Sequence, residues 1–215
     1  MNLITHEKYL SLIKSNENYI QDLYDICSKF KERIEGNCFY EHMNINNRTE
    51  LLFTKQMNLF SLGGVNNNIM EIGFNAGHST LLFLLSNPKS FITVFDLCEH
   101  DYTMPCFRYL NEKFPNRIQM IAGNSIYALP NFYKKFFSDK NKFDLIHIDG
   151  CHYREIANKD FFNSLRMADN FIVFDDTQDP ELNGLFELYL QLDLLKEVHL
   201  HETFLYKHRI GQIIK

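Results

Sequence analysis

Apolar and polar positions change rhythm near residue 68, and the change divides the chain into two kinds of structure. Before it, Ile20, Leu23, Tyr24, Cys27, Phe30 and Ile34 recur at three- and four-residue steps, the mark of one face of an amphipathic helix, which Gly36 would end. The polar stretch 44–48 leads to Thr49, a candidate N-cap. A helix over 51–62 should then stop at Gly63 and Gly64. Residues 1–64 are therefore expected to form a helical N-terminal extension: a lid, a dimer surface or a plain cap on the edge of a sheet.

Beyond residue 68, short apolar runs alternate with helical segments, the pattern of repeated βα units. The predicted strands are 69–72, 91–95, 118–121, 143–148 and 171–174, and the predicted helices between them are 79–86, 104–114, 126–137 and 154–167. A helix over 182–192 precedes two last strands, 197–200 and 204–214, expected to pair antiparallel. Residues 65–215 thus predict a doubly wound, mostly parallel α/β domain.

In such a sheet the ligand lies beyond the carboxyl ends of the strands. The first strand ends in Glu71-Ile72-Gly73-Phe74-Asn75-Ala76-Gly77-His78-Ser79, where glycines permit a sharp turn and the next helix begins at once. Free N–H groups at that helix start, with the Ser79 hydroxyl, suit a carboxylate. The glycine spacing is G-x-x-x-G, not the G-x-G-x-x-G that packs a dinucleotide pyrophosphate. The second strand ends at Asp96, whose carboxylate can accept from both hydroxyls of a ribose, and Leu97 can pack on an adenine. Gly123-Asn124-Ser125 after the third strand can meet the adenine edge.

This ordered set resembles the class I S-adenosylmethionine-dependent methyltransferases, from about residue 69 to the C-terminus. The resemblance implies a seven-stranded sheet with a reversed last strand. It assigns Glu71, Gly73, Asn75, Gly77, Ser79, Asp96 and Ser125 to the cofactor; Leu97, Asn124 and Asp149 join them as candidates.

The fourth strand emerges at Asp149-Gly150-Cys151-His152 and the fifth at Asp175-Asp176-Thr177, so three carboxylates share one rim. Two such charges about 4 Å apart repel by about 4 kcal/mol at an effective dielectric near 20, which calls for a cation or strong donors. Oxygen ligands with open positions suit Mg²⁺. The arrangement resembles catechol O-methyltransferase and the sugar O-methyltransferases that depend on a divalent metal, and it implies Asp149, Asp175 and Asp176 as ligands. His152 stands where that group has a basic residue. At a helix start beside a cation, a neutral ring is expected there, able to act as general base with Asp149 as the other catalytic group. His147, in mid-strand, is expected to be a hydrogen-bonded core residue.

The expected activity is methyl transfer to a hydroxyl of a small molecule or glycan. The alternatives are an RNA or protein methyltransferase, or an inactive protein that keeps the pocket. A net charge of −5 offers no general attraction to phosphate backbones, which disfavours nucleic acid as a partner. The absence of Trp removes any Trp-lined clamp for a catechol. No apolar run is long enough to span a bilayer, and the five cysteines form no C-x-x-C pair, so a cytoplasmic, reducing location is expected.

Overall fold

The computed structural model describes residues 3–35, 38–40, 49–136 and 141–215. Gly36, the 44–48 stretch and Phe137, which figure in the sequence expectations, lie outside the described residues.

Two short helices replace the single one expected near the N-terminus. α1 (His6–Ser15) starts where the Thr5 side chain accepts from Lys8 N–H, and it buries Tyr9 and Ile13, one turn apart. α2 (Glu17–Cys27) buries Ile20, Leu23 and Cys27, as the periodicity predicts, but it ends at Cys27. There the backbone tightens into i→i+3 bonds, Lys29 to Ile26 and Phe30 to Cys27, and Ser28 Oγ donates to the Asp25 carbonyl. Thr49 caps a 3₁₀ turn (Glu50–Leu52) by accepting from Leu51 N–H. α3 (Phe53–Val65) follows and runs through Gly63 and Gly64 instead of stopping. Gly63 serves contact there: a Cβ would lie 2.4 Å from Ser86 Oγ and 2.9 Å from the Phe83 ring. Every residue of α3 from Lys55 to Gly63 is buried, so this helix is a core element, not an outer layer.

The alternating units follow in order: β1 (Asn68–Ile72), α4 (His78–Ser86), β2 (Phe91–Asp96), α5 (Thr103–Lys113), β3 (Ile118–Ala122), α6 (Ser125–Phe136), β4 (Phe143–Ile148), α7 (Arg154–Met167), β5 (Ala168–Phe174), α8 (Pro180–Gln191), β6 (Leu195–Val198) and β7 (Arg209–Ile213). They form a seven-stranded sheet in the order β3-β2-β1-β4-β5-β7-β6, with β7 alone antiparallel to its neighbours. β7 starts five residues later than expected. The preceding segment leaves the sheet because the Lys207 carbonyl accepts from both Thr177 N–H and Thr177 Oγ1 after β5.

Helices cover both faces, so the strands are near-continuous apolar runs. Ile69, Ile92, Leu145 and Val173 face a core shared with residues from α1 to α5, whereas Met70, Ile72, Ile146, Ile148 and Ile172 face α6, α7 and α8. The N-terminal helices therefore share one core with the sheet. Under α2 and α5, Cys27 and Cys106 meet with sulfurs 3.6 Å apart, and all five cysteines are free. Among the described residues no helix is long and apolar enough to cross a membrane.

Candidate active site

Strand order reverses between β1 and β4, and a cleft of about 580 Å³ opens beyond their carboxyl ends. Its lining brings together Gly73, Asn75, Ser79, Asp96, Leu97, Asn124, Ser125, Asp149 and His152 from the expected set. Glu71, Gly77, Asp175 and Asp176 do not line it, and for each the local geometry gives a reason.

Glu71 is fully buried and spends its carboxylate on other side chains: one oxygen accepts from the Thr80 hydroxyl, the other meets His147 Nδ1 at 2.9 Å. The cofactor contact expected of it is replaced by a supporting role behind the loop. Gly77 takes φ +81° to start α4, and a Cβ there would press on the Phe74 ring at 2.6 Å and on Leu110 at 2.8 Å. It shapes the turn without facing the cleft. Gly73, at φ +92°, does face it, but its strictest demand comes from the chain itself, since a Cβ would lie 1.9 Å from the Asp149 carbonyl.

Asp96 braces the same loop. One oxygen accepts from Phe74 and Asn75 N–H at 2.8 and 2.9 Å, the other from Cys98 N–H at 2.7 Å. Three of roughly four acceptor sites on a carboxylate are thus used, which leaves room for a single ligand hydroxyl rather than the expected two. Asn124 Oδ1 accepts from Ile126 N–H and so caps α6. Asn75 is held at φ +51°, and its Oδ1 is buried with no partner among the described residues, an acceptor turned to no protein donor.

The acidic rim is already supplied with cations. Lys55 from α3 reaches across to Asp175 Oδ2 at 2.7 Å, with both side chains almost fully buried. The same oxygen lies 3.4 Å from His147 Nε2, and Asp175 Oδ1 accepts from Asp176 N–H at 2.9 Å. A chain of alternating charge results, Glu71–His147–Asp175–Lys55, made possible because Glu71 and His147 are register partners on adjoining strands. His147 is a core residue, as expected, yet it also lines the cleft. Burial alone would lower its pKa, but hydrogen bonds to Asp175 and Glu71 push it up to about 10. Burial would likewise lower that of Lys55, and the charges of Asp175, Asp149 and Asp176 raise it above the usual lysine value. Asp175, despite burial, is held well below the usual carboxylate range by Lys55 and His147. Removing one partner of such a pair leaves a buried charge unpaired, at a cost of about 3–5 kcal/mol.

His152 lines the cleft with its Nε2 2.8 Å from Asp176 Oδ2, and Gln178 donates to the other Asp176 oxygen. The expected neutral ring is not what this geometry favours: the Asp176 hydrogen bond, against partial burial, pushes His152 up to about 9. Helix position and a notional cation lose to a carboxylate in contact. Asp149 has no side-chain partner among the described residues; burial, then the charge of Asp175, pushes its carboxyl up to about 8.

A divalent ion held by Asp149, Asp175 and Asp176 does not fit this donor set. Both oxygens of Asp175 are engaged, and one faces an ammonium that a second cation would repel. Two overlapping sets, His147 with Asp149 and Asp175, and Asp149 with His152 and Asp176, do bring their ligand atoms within 4.8 Å of one another; only the second avoids the oxygens that Lys55 and Asp176 N–H engage.

Sequence reasoning missed Lys55 and His78. Lys55 is the one charge on a helical stretch that also carries Thr54, Gln56, Asn58 and Ser61, and nothing in that stretch ties it to the rim. His78 lines the cleft edge-on to Phe39 and Tyr40, with both ring nitrogens unpartnered among the described residues, and nothing in its loop context marks it out.

A sequence family described as "Methyltransferase domain" matches residues 70–177, half of the chain. The chain belongs to that family. No curated protein matches it in sequence. In fold it is similar to an O-methyltransferase from Bacillus cereus solved with SAH, at TM-score 0.66 and 15% identity over 92% of this chain and 91% of that one. The O-methyltransferase TomG from Streptomyces achromogenes, solved with SAM, aligns at TM-score 0.62 and 12% identity over 91% and 89%. The N-methyltransferase NodS from Bradyrhizobium japonicum WM9 aligns at 0.58 and 16% over 92% and 100%. The sheet order and reversed β7 are thus those of the class I methyltransferase fold, and that fold serves transfer to oxygen and to nitrogen alike.

Proposed function

We propose that this methyltransferase moves a methyl group from S-adenosylmethionine to a hydroxyl of a small molecule or glycan. The observation that carries the reading is one cleft with two unlike ends: a glycine turn and helix start at β1, and at β4 the charged groups of Asp149, His147, His152 and Lys55, backed by Asp175 and Asp176 after β5. The methionine carboxylate of the donor suits the N–H groups and Ser79 at the start of α4, one ribose hydroxyl suits Asp96, and the adenine suits Leu97 and the 123–125 turn. Relatives solved with SAM or SAH support the choice of donor. A sulfonium is already a good leaving group, so alignment of acceptor and methyl is the main demand on the protein, with a contribution of about 7–11 kcal/mol within reach.

Labelled S-adenosylmethionine offered with a panel of hydroxylated small molecules and glycans tests this. Label retained in an ether is the expected result. Label found only on nitrogen, or only on RNA or protein, overturns the acceptor class, and failure to bind the donor in calorimetry overturns the whole reading.

A narrower second reading adds a divalent cation, and the spacing of Asp149, His152 and Asp176 favours it. Such an ion would polarise the acceptor oxygen. Transfer that stops in EDTA and returns with Mg²⁺ supports it; transfer indifferent to EDTA removes it.

A further inference from the structure

The cation at the acidic rim comes from an unexpected element. Lys55 lies on α3, outside the βα units that supply the rest of the cleft, yet its ammonium sits among Asp149, Asp175 and Asp176 and lines the cavity. Of its three N–H donors, Asp175 takes one by direct contact, and the ring of Tyr206 lies 5.9 Å away. The other two have no hydrogen-bond partner among the described residues. The Asp149 carboxylate also lines the cleft and has no side-chain hydrogen-bond partner among the described residues. A donor with spare N–H groups next to an acceptor with spare lone pairs is the complement of one hydroxyl group, which accepts from the first and donates to the second.

We propose that Lys55 is the built-in cation of this site: its ammonium grips the acceptor oxygen in the position where the acidic rim suggests a divalent ion. The inference rests on the methyl-transfer reading of the cleft. In the transfer, the carbon–sulfur bond of the donor breaks and a carbon–oxygen bond forms. The hydroxyl proton passes to Asp149, the sulfur leaves as a neutral thioether, and Lys55 keeps its proton throughout. Its fixed charge meets the negative charge developing on oxygen, the kind of pre-set stabilisation that needs no reorganisation at the moment of reaction. α3 is suited to hold it, because the helix is buried from Lys55 to Gly63 and pinned at Gln56, which accepts from Tyr9 and donates to the Cys38 carbonyl, each at 2.5 Å.

The test combines Mn²⁺ titration of the full chain with turnover of the wild type, Lys55→Met and Lys55→Arg. For the wild type we expect Mn²⁺ binding no tighter than about millimolar and turnover unchanged by EDTA. Lys55→Met frees the carboxylates, so Mn²⁺ affinity should rise at least about tenfold, while turnover falls about 100-fold or more. Donor affinity should stay within about threefold, which separates this loss from a general collapse of the cleft, and Lys55→Arg should recover part of the turnover. Micromolar Mn²⁺ binding by the wild type, or full turnover in Lys55→Met, overturns the proposal. Should Lys55→Met fail to fold, the wild-type titration and EDTA arms decide alone. A wild type that binds neither Mn²⁺ nor the donor would instead sink the methyl-transfer reading.

Discussion

His78 shows how much one buried ring can influence the whole chain. Burial lowers its pKa from 6.5 to about 4, with no hydrogen bond among the described residues to offset the loss of water. Between those two values the unfolded chain takes up a proton that the folded chain refuses. The unfolded state then binds more protons, so stability falls as pH drops through this window, with a ceiling of about 3 kcal/mol for this residue. His208, lowered to about 3 by burial, acts in the same direction. Urea midpoints measured from pH 7 to pH 4 should therefore fall more steeply for the wild type than for His78→Phe. Equal slopes would place the ring in water. Gly73 illustrates the limit of reading residues one at a time: the turn is legible in the sequence, but the Asp149 carbonyl that forbids a side chain there comes from a strand 76 positions on.

Among the elements, the reversed strand β7 depends on a single guanidinium. Arg209 donates from Nε and one terminal nitrogen to the two oxygens of Glu197 on β6, both at 2.7 Å, and from the other to Asn183 at 3.0 Å and Glu187 on α8. It also lies 4.5 Å over the Phe186 ring. One side chain thus ties the sheet edge to the helix that covers it, in the forked geometry that lysine cannot reproduce. Arg209→Met should cost about 2–3 kcal/mol, and Arg209→Lys should recover only part of that. A thermal melt would register the loss as a fall of roughly 4–12 °C for a chain of this size. A change under about 1 kcal/mol would mean that the network is worth no more than a surface pair. The elements that the sequence misjudged fail for related reasons. The apolar period does not register the tightened backbone and the Ser28 hydroxyl that end α2 at Cys27, and nothing local carries α3 past two glycines; that follows from α4 packing so close that position 63 has no space for a Cβ.

At the scale of the whole molecule, the cleft is assembled from the ends of β1, β2, β3 and β4 together with α3, so a ligand that fills it bridges most of the sheet. S-Adenosylmethionine at about 100 times its dissociation constant should stabilise the fold by about 2.7 kcal/mol. For a chain of this length that is a rise in Tm of about 5–10 °C, readable by differential scanning fluorimetry. No shift at saturating donor would argue against this cleft as the donor site.

The βα alternation, the strand ends and the glycine turn were legible along the chain, because each is written in local periodicity and turn chemistry within a few neighbouring residues. The sequence also placed Asp96, Asp149 and His152 at one rim, since residues that follow parallel strands must emerge on the same side. What those groups do to one another depended on packing. Lys55 and Asp175 lie 120 positions apart, as Gly73 and Asp149 lie 76 apart, and neither pair leaves a trace in either segment alone. Charge acts through space on whatever folding brings near. The carboxylate excess that calls for a cation is therefore visible along the chain, whereas the lysine that answers it becomes visible only once α3 is packed against the sheet.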